Sequence, residues 1–161
     1  MSVTIEIDGR QLTVPEGMNL MEAALQNGIY IPHLCHHPDL PDLGSCRLCI
    51  VEVEGMEGVQ PSCKLKASEG MKVITDSPRI HSLRKLAMEL LLAAHPEDCS
   101  TCPKYGRCEL QTLIQYMGVS ATRMSARIKG FAQNDKNPLL IHDMNRCVLC
   151  GRCVRACGDL R

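Results

Sequence analysis

Aromatic side chains are nearly missing: the 161 residues contain no Trp, one Phe and three Tyr. The core must then be aliphatic, and base-stacking surfaces are lacking, which argues against a single-strand nucleic-acid binder. Charge of one sign is lacking too. Lys+Arg and Asp+Glu both count 18, so net charge points to neither nucleic acid nor an acidic substrate. Long apolar runs are absent; the longest, around Leu90 to Ala94, is far too short to span a membrane. Met1-Ser2-Val3-Thr4-Ile5-Glu6-Ile7-Asp8 has no basic n-region or apolar h-region and is not a signal peptide. No G-x-G-x-x-G follows an expected strand, so a nicotinamide or flavin fingerprint is also missing. A cytoplasmic, reducing location is the expectation.

What the chain has is cysteine, 11 in all. In a reducing compartment clustered cysteines favour metals over disulfides, and an odd count fits a disulfide framework poorly. The densest stretch, His95-Pro96-Glu97-Asp98-Cys99-Ser100-Thr101-Cys102-Pro103-Lys104-Tyr105-Gly106-Arg107-Cys108, reads H-x3-C-x2-C-x5-C. Upstream stand Cys35, Cys46, Cys49 and Cys63; downstream stand Cys147, Cys150, Cys153 and Cys157. With His95 these make three sets of four ligands, and part of the stability is expected from metal centres.

The elements between them are legible in outline. Residues 1–15 read as a β-hairpin, with Val3, Ile5 and Ile7 alternating and Asp8-Gly9 as the turn. A short helix follows over about Asn19 to Asn27, with Leu20, Met21, Ala23 and Ala24 on its apolar side and Asn27-Gly28 as the stop. Cys49 to Glu54 and Met71 to Thr75 read as strands. These elements suggest a β-grasp fold, placing a first domain at 1–78. Ser77-Pro78 starts a helix as N-cap and N1. Ile80, Leu83, Leu86, Ala87, Met88, Leu90, Leu91, Leu92 and Ala94 give that helix a stripe so wide that most of it is expected to be buried in a core. It delivers His95 at its end, and a second helix runs over about Glu109 to Met117. This is a small helical domain at 79–118. Residues 119–161 form an irregular connector, with Leu139-Leu140-Ile141 as a short strand, and then the last cysteine run.

Cys35-x10-Cys46-x2-Cys49-x13-Cys63, one close pair with two distant members, suits a plant-type [2Fe-2S] centre, although the spacing is not that of plant ferredoxins. A four-cysteine zinc site also uses C-x2-C, but usually in two such knuckles. A Rieske centre would need histidines differently arranged, so His33, His36 and His37 are expected at the surface. A zinc site with three cysteines and one histidine competes for the middle motif. Lys104 and Arg107 there are candidates to assist, or else an exposed solvated pair. Cys147-x2-Cys150-x2-Cys153-x3-Cys157 matches the bacterial ferredoxin run, whose fourth cysteine serves another cluster in two-cluster ferredoxins. On that pattern the last site lacks a ligand, and the sequence is expected to be part of a longer polypeptide or to be completed by a partner.

Val14-Pro15-Glu16-Gly17, Ile31-Pro32-His33-Leu34-Cys35 and Gly44-Ser45-Cys46-Arg47-Leu48-Cys49 resemble the [2Fe-2S] domain of the respiratory complex I peripheral-arm subunit and its hydrogenase and formate dehydrogenase relatives. The His95 motif and then the run Arg146 to Cys157 follow in the order of that superfamily. The resemblance implies an α+β chain: a β-grasp [2Fe-2S] ferredoxin domain, a small helical [4Fe-4S] domain held by His95, Cys99, Cys102 and Cys108, and the start of a ferredoxin-like [4Fe-4S] segment. The last run is similar to iron-only hydrogenases and NAD-linked formate dehydrogenases, whereas complex I often lacks a cysteine at the position of Cys157. It implies an electron-relay module, not catalytic alone, between a flavin- and NAD(P)-binding subunit and a catalytic partner: hydrogenase, formate dehydrogenase or a bifurcating enzyme. The competing expectation is a zinc-stapled interaction module with no redox role.

Overall fold

The computed structural model describes the chain apart from residues 97, 121, 122, 126, 128, 138 and 161. Glu97 of the middle motif, Pro138 of the expected connector and the terminal Arg161 therefore lie outside the described residues. The chain divides into two compact units, Met1–Arg84 together with Gly151–Arg161, and Lys85–Cys150.

The first unit is built on a five-stranded sheet. Strands β1 (Ser2–Ile7) and β2 (Arg10–Pro15) pair antiparallel with Val3 opposite Val14 and Ile5 opposite Leu12. Asp8 and Gly9 connect them with φ of 50° and 79°, the left-handed pair that a two-residue hairpin turn requires. Helix α1 (Leu20–Gln26) follows and buries Leu20, Met21, Ala23 and Ala24. Strands β3 (Ile50–Val53), β4 (Val59–Pro61) and β5 (Lys72–Ile74) complete the order β2-β1-β5-β3-β4, with β1 and β5 parallel and the other pairs antiparallel. One core joins the inward side chains of the strands to the apolar face of α1, with Ile5, Ile7, Leu20, Met21, Ile31 and Val51 all at 1% exposure or less. Strand β4 escapes the sequence pattern because it is three residues long and ends on Pro61, which an edge strand tolerates.

Helix α2 (Pro78–Ala93) starts in this unit, where the Ser77 hydroxyl accepts from the Ile80 N–H at 3.2 Å. The expectation that most of α2 is buried does not hold. Leu86 and Leu90 are exposed, whereas Arg84 and Glu89 are buried beside Ile80 and Met88. Both charges are provided for. Arg84 donates to the Ile50 carbonyl at 2.8 Å, and the Glu89 carboxylate takes two hydrogen bonds from Arg123 Nε, both at 3.1 Å, and one from Nη2 at 2.9 Å. The first unit also contains α4 (Arg152–Leu160), a helix the cysteine spacing did not announce.

The second unit holds the end of α2, helix α3 (Glu109–Tyr116), and strands β6 (Asn134–Asn137) and β7 (Leu140–His142), paired as a hairpin. Met88, Ala93, Leu110, Leu113 and Val119 are its buried apolar side chains among the described residues. The short strand expected around Leu139 is thus part of a hairpin whose other arm, Asn-Asp-Lys-Asn, has almost no β propensity. Among the described residues no helix is long and apolar enough to cross a membrane.

Asn19 carries much of the first unit's local order. Its Oδ1 accepts from the Met21 N–H at 3.0 Å as the cap of α1, and its Nδ2 donates to the Cys63 carbonyl and to Asp42 Oδ2, both at 2.7 Å. Asn19→Ala is expected to destabilise this unit by about 2–4 kcal/mol, the sum of a lost cap at ~1 and stranded buried acceptors at about 1–3. Denaturant unfolding followed by circular dichroism measures it.

Candidate metal centres

The first cysteine set lies in a long irregular passage and its return. Cys35 and Cys46 occupy the stretch between α1 and β3, Cys49 immediately precedes β3, and Cys63 sits in the helical turn Ser62–Lys64 after β4. Pairing of β3 with β4 brings the last two together, and the Ser62 N–H donates to the Cys49 carbonyl at 2.9 Å. All four are buried, at 1% to 7% exposure. They meet as two pairs. The Cys46 thiol donates to Cys35, whose titration is thereby pushed down to about 4, while Cys46 is pushed up by the same contact and by burial. Cys63 stands to Cys49 in the same relation, with Cys49 lowered to about 6 and Cys63 raised. The physical content is that each pair gives up one proton readily and keeps the second. Cys35 also interacts electrostatically with Cys49 and Cys63, so the pairs are neighbours.

Two backbone positions shape this loop. Arg47, between Cys46 and Cys49, has a φ of 57°, a left-handed conformation in a non-glycine residue. Gly44 has a φ of 70°, and a side chain there would meet Lys64 Cγ at 3.1 Å. The Lys64 ammonium in turn donates to the Asp42 carbonyl at 2.9 Å.

The histidines next to Cys35 are not all at the surface. His36 is 4% exposed, with Nδ1 at 2.6 Å from Asp42 Oδ1 and Nε2 at 3.9 Å from Glu22 Oε1. The carboxylates make its burial possible, a long-range provision that spacing does not reveal. His33 is half-buried, with Nδ1 at 2.8 Å from the Ile31 carbonyl, and His37 is also half-buried.

The middle motif surrounds a cavity. His95 follows α2, Cys99 lies in the helical turn Cys99–Thr101, Cys102 ends that turn, and Cys108 caps α3. All four line a space of about 240 Å³ whose walls include Leu92, Leu110, Ile114 and Val119. Burial, with the cations of Lys129 and Arg146, holds the His95 imidazole below the usual histidine range, against an opposing pull from Asp98. It is therefore neutral, the form that binds metals. Its Nδ1 is fully shielded and has no hydrogen-bond partner among the described residues. A cluster of soft donors, a neutral imidazole with an unused nitrogen and an apolar-walled space fit an iron–sulfur group.

Lys104 and Arg107 are exposed and do not line the cavity; Arg146 does. Its guanidinium binds Asp98 through two hydrogen bonds, at 2.9 and 2.6 Å, and lies within hydrogen-bond reach of Cys102. Sequence reasoning passed over Asp98 and Arg146, although each stands directly beside a motif cysteine.

In the last set, Cys147 and Cys150 belong to the second unit and Cys153 and Cys157, four apart on α4, to the first. Cys153 and Cys157 are exposed, and Cys147 and Cys150 half-buried. Leu149, with a φ of 57°, turns the backbone between Cys147 and Cys150 as Arg47 does in the first set.

Residues 1–78 match the family described as a 2Fe-2S iron-sulfur cluster binding domain, and residues 84–123 match the NADH-ubiquinone oxidoreductase-G iron-sulfur binding region. The chain is 38% identical over 160 residues to the mitochondrial NADH-ubiquinone oxidoreductase 78 kDa subunit of Candida albicans, covering 98% of this chain but 22% of that protein. It is 36% identical to the gamma subunit of the NAD-reducing hydrogenase HoxS of Cupriavidus necator, covering 99% of this chain and 67% of the relative. A crystal structure of an NAD+-reducing [NiFe]-hydrogenase in the H2-reduced state superposes with a TM-score of 0.90 at 39% identity, over 97% of this chain and 66% of that one. A [2Fe-2S] and a [4Fe-4S] binding domain are thus both present, and the chain belongs to the iron–sulfur family that includes the 78 kDa subunit of NADH-ubiquinone oxidoreductase and the gamma subunit of NAD-reducing hydrogenase.

Proposed function

We propose that this chain is the iron–sulfur relay of a cytoplasmic, multi-subunit oxidoreductase, working between a flavin- and NAD(P)-binding subunit and a catalytic subunit of hydrogenase, formate dehydrogenase or bifurcating type. Residues 1–78 are a β-grasp ferredoxin domain, a reading supported by the sheet order and by the parallel pairing of its first and last strands. Cys35, Cys46, Cys49 and Cys63 hold a [2Fe-2S] cluster, which their meeting in two pairs supports, because each iron of such a centre takes two protein ligands. His95, Cys99, Cys102 and Cys108 hold a [4Fe-4S] cluster. Cys147, Cys150 and Cys153 hold a further [4Fe-4S] cluster, with Cys157 serving it or another. Bound clusters supply one-electron carriers. The chain's own part is to present thiolates and one neutral imidazole, to bury them and to keep water out.

The observation that carries this reading is the cavity in which His95 and its three cysteines converge, with the shielded Nδ1 unpaired. The test is iron and acid-labile sulfide analysis with electron paramagnetic resonance (EPR) of the anaerobically purified, reduced protein. Signals of both a [2Fe-2S] and a [4Fe-4S] centre are expected. A colourless protein that contains zinc and no iron would replace this reading with a zinc-stapled interaction module.

Two substitutions sharpen it. Imidazole in place of thiolate removes one negative charge from the cluster and favours its reduced form. His95→Cys should therefore keep the [4Fe-4S] signal and lower its potential by on the order of 100 mV. An unchanged potential in a redox titration removes His95 from the ligand set. Cys63→Ala should abolish the [2Fe-2S] signal and leave the [4Fe-4S] signal in place, since the two ligand sets belong to different units. Loss of both signals at once would contradict that independence.

A further inference from the structure

Two arginines of the last cysteine run, Arg155 and Arg146, reach away from their own cysteines, each to one of the other two ligand sets. Arg155, on α4, is 9% exposed. Its Nη2 donates to the Cys35 carbonyl and its Nη1 to the Pro41 carbonyl, 120 and 114 residues away in sequence. Its Nε has no partner among the described residues, and no carboxylate among them pairs with the guanidinium. Gly151, which precedes α4, adapts to the same loop. It has a φ of 67°, and a side chain there would lie 3.0 Å from Leu43 Cδ2.

A buried cation held only by carbonyl dipoles is costly unless an anion stands near it. Four cysteines ionised around iron are such an anion, and the hydrogen bond to the Cys35 carbonyl brings the guanidinium to the backbone of one of them. In the second unit Arg146 is half-buried and paired with carboxylates, but it too stands at a cysteine set. It lines the cavity with His95 and the cysteines, lies within hydrogen-bond reach of Cys102, and is fixed in direction by Asp98 and by Asp143 Oδ2 at 3.4 Å from its Nε.

We propose that the last cysteine run supplies one positioning arginine to each of the other two sites: Arg155 raises the potential of the [2Fe-2S] centre, and Arg146 that of the His95-containing centre. This rests on the cluster assignment above. A fixed positive charge favours the state of a cluster that carries the extra electron, because the interaction grows with the cluster's negative charge. The two effects are separable because each contact lies within one unit.

The experiment is an EPR-monitored redox titration of the full chain with Arg155→Gln, Arg146→Gln and the corresponding lysine variants. Arg155→Gln should lower the [2Fe-2S] potential alone, and Arg146→Gln that of the [4Fe-4S] centre alone. The expected change is about tenfold in the oxidised-to-reduced ratio at fixed potential, about 59 mV for one electron. Arg155→Lys and Arg146→Lys keep the charge and should recover most of each shift, which a purely structural role does not predict. Glutamine and lysine variants with identical potentials, or either arginine moving both centres equally, would overturn the proposal. If a glutamine variant fails to fold, the methionine variant, which keeps an extended side chain without the charge, takes its place: a tenfold drop supports a charge effect, and a potential at wild type refutes it. Wild-type protein without either EPR signal would instead refute the cluster assignment.

Discussion

The amide of Asn19 ties the first cysteine set to the fold beneath it. One side chain caps α1, holds the carbonyl of Cys63 and orients Asp42. Asp42 then engages His36 through its carboxylate and Lys64 through its carbonyl, and both are neighbours of cysteines in the chain. The loop between α1 and β3 has no ladder of its own, so its polar groups must be satisfied by such side chains or be left buried and unpaired. The apolar core under α1 gives Asn19 a rigid base. From that base the loop holds Cys35, Cys46 and Cys49 beside Cys63, which the pairing of β3 with β4 brings alongside.

Beside its β6–β7 hairpin, the second unit meets a similar demand with charge pairs. Its described apolar interior amounts to a few side chains around Met88, Leu110 and Leu113. Glu89 is locked by Arg123 and Asp98 by Arg146, fixing α2 to one part of the unit and the cysteine turn to another. Of these four side chains Glu89 alone is buried, and an ion pair of this kind is a poor source of net stability but strict about geometry. Folding free energy in such a unit is expected to come in good part from the metal centre it encloses.

The legibility of the sequence follows the range of the interactions. The β1–β2 hairpin, α1 with its Asn27-Gly28 stop, and the Ser77 start of α2 are local patterns, and the structure has each within a residue or two. The cysteine groupings stood out by their dense spacing, and the structure buries Cys35, Cys46, Cys49 and Cys63 and lines one cavity with His95, Cys99, Cys102 and Cys108. What stayed hidden depends on distant partners. β4 forms only because β3 offers an edge, β6 is a strand made of Asn, Asp and Lys, and α2 buries Arg84 and Glu89 while exposing Leu86 and Leu90. No periodicity rule finds a buried Glu whose partner stands 34 residues on.

Histidine shows the same limit in its chemistry. His36 and His95 each sit close to cysteines, His36 buried and His95 half-buried, and spacing alone does not tell their surroundings apart. Hydrogen bonding separates them. His36 spends Nδ1 on Asp42, with Glu22 on its other side, so its imidazole is committed to the scaffold. His95 is held neutral by burial and by two cations, keeps Nδ1 unpaired, and faces a cavity that three thiols also line. A buried imidazole nitrogen without a partner costs free energy unless something binds it or the ring's other nitrogen is worth the cost. In this chain that cost is carried at His95, beside a cavity that three cysteines line.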